Sequence, residues 1–120
     1  MILADHDLGS YNTGMVSDEV LNEVKQRLVD GFHPEKIILF GSQARGTADD
    51  RSDVDILVVC EVPDGRRSLT LAMDRALWGL RLARDLVVLT PEEYERDRHI
   101  PGTIARYASL GGRVFYEDTR

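Results

Sequence analysis

Two apolar runs that should pair as strands are joined by a polar loop whose two ends both carry chemistry. Ile37-Ile38-Leu39-Phe40 stops abruptly at Gly41-Ser42, and the next apolar run opens with Ser52-Asp53-Val54-Asp55. On a strand, alternate side chains share a face and each residue advances about 3.3 Å. Asp53 and Asp55 therefore face the same way, with Cβ atoms roughly 6.6 Å apart. At an effective dielectric of about 20, two such carboxylates repel by roughly 2.5 kcal/mol. A divalent cation between them removes that penalty, and phosphoryl-transfer sites hold paired metals about 3.5–4 Å apart. Gly41 lets the backbone approach a ligand closely. Ser42 and the N–H groups opening a following helix offer a phosphate cradle. An Asp-X-Asp alone reads as a strand start with two solvated acids. Joined to a Gly-Ser turn across one short loop, it reads as a metal–nucleotide site.

The third apolar run repeats this logic, since Asp85 opens Leu86-Val87-Val88-Leu89. Such a run should bury both faces, so a charge at its mouth suits only a solvated or metal-filled edge. Taken alone, Asp85 reads as a strand-edge residue or a partner of Arg84 or Arg81. Beside Asp53 and Asp55, the catalytic reading prevails. Arg45 lies about one helical turn beyond Ser42. It either touches a triphosphate or pairs with Asp49 or Asp50, which read as loop acids.

Gly41-Ser42 with Asp53 and Asp55 at this spacing resembles the signature of the polymerase-β-like nucleotidyltransferase superfamily. The local sequence GSQARGTA, followed by SDVDILVV, is similar to the minimal nucleotidyltransferase (MNT) domains. The likeness runs over residues 34–117 and includes the strand start at Asp85 and the late stretch IPGTIARYASLGGRVFYE. That ending resembles MNT proteins encoded beside small helical HEPN-domain proteins. The resemblance implies an α/β, polymerase-β-like nucleotidyltransferase fold, a small mixed β-sheet packed with helices. It implies Mg2+ held by Asp53, Asp55 and Asp85, with ATP phosphates against Gly41, Ser42 and, on one reading, Arg45. In that chemistry Asp85 is the general base, or a ligand that polarises the attacking hydroxyl. AMP passes to the acceptor and pyrophosphate leaves. Members of the family adenylylate a tyrosine on a HEPN ribonuclease and silence it. The expectation is therefore an antitoxin of a type VII-like toxin–antitoxin pair, with a HEPN toxin as its partner in a hetero-oligomer. A stand-alone enzyme acting on a small molecule, and an antitoxin that neutralises by contact alone, remain the alternatives.

Composition narrows the setting. At 120 residues the chain suits one domain with a modest core. Twenty-one acidic against 15 basic residues give a net charge of −6. No basic stretch carries interleaved aromatics, so no direct nucleic-acid contact and no polymerase role are expected. The lone Cys60 fits a reducing, cytoplasmic compartment. No apolar run approaches the roughly 18 residues of a membrane span, and no charged-then-apolar leader is evident. His6, His33 and His99 lack zinc-like spacing and read as surface residues.

Residues 1–16 show no periodicity and contain Gly9 and Gly14, so they read as an N-terminal arm before a domain at 17–120. Ser17 is a fitting N-cap for a helix whose stripe, Val20, Leu21, Val24 and Leu28, stops at Gly31. Strands are expected at 36–40, 54–60, 85–89 and 113–116. Helices are expected from Ser42, over 66–83, from Pro91 and over 103–110. The 66–83 segment is apolar on two sides. Leu69, Met73, Leu77 and Leu80 suit the sheet, while Leu71, Trp78 and Leu82 fall roughly opposite with Arg75 beside them. That second side asks for a cover: the N-terminal arm with Ile2 and Leu3, the 103–110 helix, or another protein.

Overall fold

The computed structural model of the chain describes residues 17–41 and 54–118. The expected arm and the loop carrying Ser42, Arg45, Asp49, Asp50 and Asp53, with the helix expected from Ser42, lie outside the described residues.

Helix α1 (Asp18–Phe32) begins as its sequence dictates. Ser17 is extended and its hydroxyl accepts a hydrogen bond from the Val20 amide at 3.3 Å, with Asp18 and Glu19 in the first turn. Leu21, Val24 and Leu28 line its buried face. His33 closes it in the left-handed region, at φ 50°. Strands β1 (Lys36–Phe40), β2 (Val54–Val59), β3 (Arg84–Leu89) and β4 (Arg113–Glu117) form one sheet in the order β3-β2-β1-β4. β1 is antiparallel to both its neighbours, whereas β2 and β3 are parallel. A parallel pair needs a long crossover, and α2 (Arg66–Ala76) supplies it.

Alternation along the central strands splits the core into two layers. Ile37, Leu39, Val54, Ile56 and Val58 pack with α1 and with Met73 and Leu77 of the α2 segment. Ile38, Phe40, Leu57 and Val59 face the other way, onto Tyr94 of α3 (Pro91–Asp97) and Ala105 and Ala108 of α4 (Ile104–Gly111). The sheet is thus covered on both sides, as a mixed α/β fold requires. Gly112, just after α4, shows how close that covering is. A Cβ there would overlap the Ala108 carbonyl oxygen and lie 2.6 Å from Ile38 Cγ2.

Three expectations need correction. The helix expected over 66–83 stops at Ala76, because the chain tightens instead of continuing. Leu77 and Trp78 amides bond back three residues, to Asp74 and Arg75 carbonyls at 3.1 Å each. Two arginines bind carbonyls at that end and in the turn after it. Arg27 from α1 donates to Ala76 O at 3.2 Å and Trp78 O at 2.9 Å. Arg84 donates to Asp74 O at 3.0 Å and Leu82 O at 3.1 Å. Secondly, β3 is an edge strand and buries only Val88, so it is not buried on both faces. Thirdly, Leu82 packs partly against the core, which leaves Leu71 and Trp78 as the outward pair, at 49% and 65% exposed. The α4 helix does not cover them, since it lies on the opposite face of the sheet.

Helix α3 carries a full capping box. The Glu93 amide donates to Thr90 Oγ1 at 3.1 Å and the Thr90 amide to Glu93 Oε1 at 2.9 Å, with Pro91 in the first turn. Arg66 at the start of α2 reaches both Glu93 oxygens, at 2.7 and 2.8 Å. The Thr90 N–H, and after it Arg66, hold the Glu93 carboxyl below its ordinary value. A lowered folded-state value means stability that is present above the ordinary carboxylate range, about 4.3. It is lost as pH falls below that range toward the folded value. Thr90→Ala should cost about 1 kcal/mol at neutral pH. Glu93→Gln should also lower the melting temperature at pH 7, and its deficit should shrink below about pH 4. Thermal melts across pH 3–7 check both.

Candidate active site

Register brings the sequence candidates together. Asp55 is paired across the sheet with Phe40 on one side and with Asp85 on the other. Asp55 shares its strand face with Leu57 and Val59, and Asp85 shares its face with Val87 and Leu89. Both carboxylates therefore project on the side that α3 and α4 cover. Strands in register sit about 4.8 Å apart, so two acids thirty residues distant in sequence become neighbours. Asp85 is exposed and Asp55 partly buried. Arg84 does not partner Asp85. It turns to Asp74, with Nε 3.1 Å from Oδ1.

Gly41 completes this corner. It follows Phe40 directly at φ 78°, a conformation that side chains disfavour. Its missing side chain matters as much as its backbone angle. A Cβ at Gly41 would overlap Asp55 Oδ2 and lie 3.1 Å from its Cγ. The turn thus presents bare backbone directly against the carboxylate. That is a cradle any other residue would fill.

Of the expected site residues, Gly41, Asp55 and Asp85 converge here, whereas Ser42, Arg45 and Asp53 lie outside the described residues. Among the described residues, no group of three or more His, Cys, Asp or Glu side chains is arranged to hold a metal. The expected trio includes Asp53 and cannot appear among them. His33 and His99 stand apart, one capping α1 and the other 3.4 Å from Glu95. Cys60 is buried, and burial, with Glu61 adding to it, pushes its thiol pKa up. It is a poor nucleophile at neutral pH. It borders a polar cavity of about 460 Å³ with Glu35, Lys36 and Glu117, at the end of β1 away from Gly41.

One neighbour of the site went unread in the sequence. The Tyr107 ring meets Phe40 edge to face, with centroids 6.0 Å apart, next to the Asp55 position. The signal was Phe40 itself, the large residue immediately before Gly41-Ser42.

The nucleotidyltransferase domain family matches residues 17–110 of this chain. The chain belongs to that family. The expected family is borne out at this level. It is also similar to a protein of Methanocaldococcus jannaschii named "Putative protein adenylyltransferase", with 48% identity over 52 residues. That stretch is 43% of this chain and 34% of the relative, so the match spans about a third of the relative's length. The crystal structure of a "putative nucleotidyltransferase" from Sulfolobus solfataricus shares the fold, with a TM-score of 0.56 and 24% identity. The overlap covers 82% of this chain and 78% of that one. No helix among the described residues is long and apolar enough to cross a membrane.

Proposed function

We propose that this nucleotidyltransferase transfers AMP from ATP to a tyrosine of a cognate HEPN-domain ribonuclease, and so acts as its antitoxin. The observation that carries the nucleotidyl chemistry is the in-register Asp55–Asp85 pair beside the bare backbone of Gly41. The name of the M. jannaschii relative supports a protein acceptor. Carboxylates two abreast with a glycine cradle fit Mg2+, which prefers carboxylates plus substrate phosphates. Asp53, Asp55 and Asp85 would hold it, and it would supply neutralisation of phosphate charge.

The chain's own residues do the rest. Gly41 keeps the space beside Asp55 open to a phosphate. Asp85, on the exposed edge strand, is accessible to an incoming hydroxyl and takes its proton. A tyrosine hydroxyl has an ordinary pKa near 10 and needs such help at neutral pH. The added phosphate places negative charge where a ribonuclease must bind RNA phosphates, which accounts for silencing. The buried free thiol of Cys60 supports a reducing, cytoplasmic setting.

The test is intact-mass spectrometry of the co-expressed partner after incubation with this protein, ATP and Mg2+. An AMP-sized addition on a tyrosine, absent with Asp55→Ala, supports the reading. Neutralisation without a mass change would replace it with contact-only inhibition. Turnover on a small molecule with no partner present would replace it with a stand-alone enzyme.

A further inference from the structure

Register lines up Asp85, Asp55 and Phe40 across β3, β2 and β1, on the face that α3 and α4 cover. The two helices divide that face. Helix α3 packs toward the end away from the acids, where its Tyr94 ring centroid lies 5.2 Å from Nζ of Lys36, the first residue of β1. Helix α4 reaches the other end, where Tyr107 meets Phe40 with ring planes 88° apart. The row therefore has an open side and a walled side. Asp85 stands on the edge strand, and Tyr107 stands beside Phe40, the residue before Gly41.

The Tyr107 ring is held without being enclosed. Phe40 is 7% exposed, whereas Tyr107 is 48% exposed. Ala105 and Ala108 take the inner side of α4, and at about 100° per residue Tyr107 falls on its flank, with Ile104 one turn before it. A nucleotide has two unlike ends. Its phosphates ask for bare backbone N–H groups and cations, and the Gly41 corner has room for them. Its base asks for a flat ring to lie on, and aromatic stacking serves any base because each has a π-face. The Cα atoms of Asp55 and Phe40 lie about 5 Å apart as cross-strand partners, and the Phe40 and Tyr107 rings 6.0 Å apart. A nucleotide with its phosphates at Asp55 can thus lay its base on Tyr107 without leaving this face, and the β3 side stays clear for an incoming hydroxyl.

We propose that Tyr107 is the platform on which the base of the substrate nucleotide stacks, and that it gives the site a preference for purine over pyrimidine triphosphates. The larger purine ring covers more of the tyrosine, and base preferences at such platforms follow stacking strength. This inference rests on the reading of Gly41 and Asp55 as a nucleotide site; it is independent of the acceptor.

The experiment titrates the full chain, with Mg2+ and no acceptor, by calorimetry with ATP, UTP and inorganic tripolyphosphate, which has no base. Tyr107→Leu keeps an apolar cover on Phe40 and removes the aromatic ring, and Tyr107→Phe keeps the ring and removes the hydroxyl. Tyr107→Leu should weaken ATP about tenfold, within the range of base–aromatic stacking, and leave tripolyphosphate unchanged. Tyr107→Phe should bind ATP as the native chain does. The native chain should favour ATP over UTP severalfold, and Tyr107→Leu should lose that difference. A second readout uses Tyr107→Trp in a Trp78→Phe background, since Trp78 is the one native tryptophan. ATP should quench the emission of the new indole, and tripolyphosphate should not. Native-like ATP binding by Tyr107→Leu, equal weakening of ATP and tripolyphosphate, or failure of Tyr107→Phe alongside Tyr107→Leu overturns the stacking role. A native chain that binds neither ATP nor tripolyphosphate overturns the nucleotide site itself, and the platform with it.

Discussion

Asp55→Ala is expected to reduce nucleotidyl transfer by at least roughly 10²–10³-fold, the range seen when one preorganised charge-stabilising group is removed. The protein should nevertheless stay folded. Asp55 stands beside Asp85 in register, and two acids at strand spacing repel one another. Removing one relieves that repulsion but also removes a contact of Asp55, so the melting temperature without nucleotide should stay close to that of the native chain. Adding Mg2+ and ATP should then separate the two proteins, because a ligand that binds only the folded state stabilises it. The native chain should gain melting temperature and the variant little. Labelled-ATP transfer and paired melts check this, and full activity in the variant would refute the site. Asp53→Ala is expected to behave alike.

Gly41→Ala should fail differently, losing stability as well as activity. A left-handed backbone costs a side-chain residue about 1–2 kcal/mol, and here the new methyl also collides with the Asp55 carboxylate. Either the turn or the carboxylate must move, and both are parts of the site. A lower melting temperature with transfer near background is the expected result. Gly31→Ala is the matching control. It lies in α1, with nothing within 4 Å of its would-be Cβ. Alanine there should be neutral or stabilise by about 0.5–1 kcal/mol.

Much of this was legible in the sequence, for identifiable reasons. β1 was readable because Gly41-Ser42 cuts off a pure apolar run. α1 and α3 were readable because Ser17, Thr90 and Pro91 are strong start signals. Asp85 could be singled out because a lone acid opens an apolar run, but its neighbour could not. Pairing with Asp55 is set by a crossover that no local pattern encodes. α2 was drawn too long because apolar periodicity continues through Leu77 and Leu80, which stay on the core after the helix has ended. The turn after it is held by Arg27 and Arg84, from segments distant in sequence. That α4 buries Ala105 and Ala108 and leaves Ile104 and Leu110 exposed escaped because IARYASL reads as an ordinary apolar helix until one knows which side meets the sheet.

The grip of Arg84 on Asp74 and Leu82 has a further meaning for catalysis. In a parallel pair, slipping one strand by a single residue turns every side chain to the opposite face. Arg84 is the first residue of β3, 11% exposed, and its guanidinium fastens that end of the strand to the helix end before it. Asp85 comes next. A residue that takes no part in the chemistry thereby acts as an index pin, fixing which side of the sheet the second carboxylate faces.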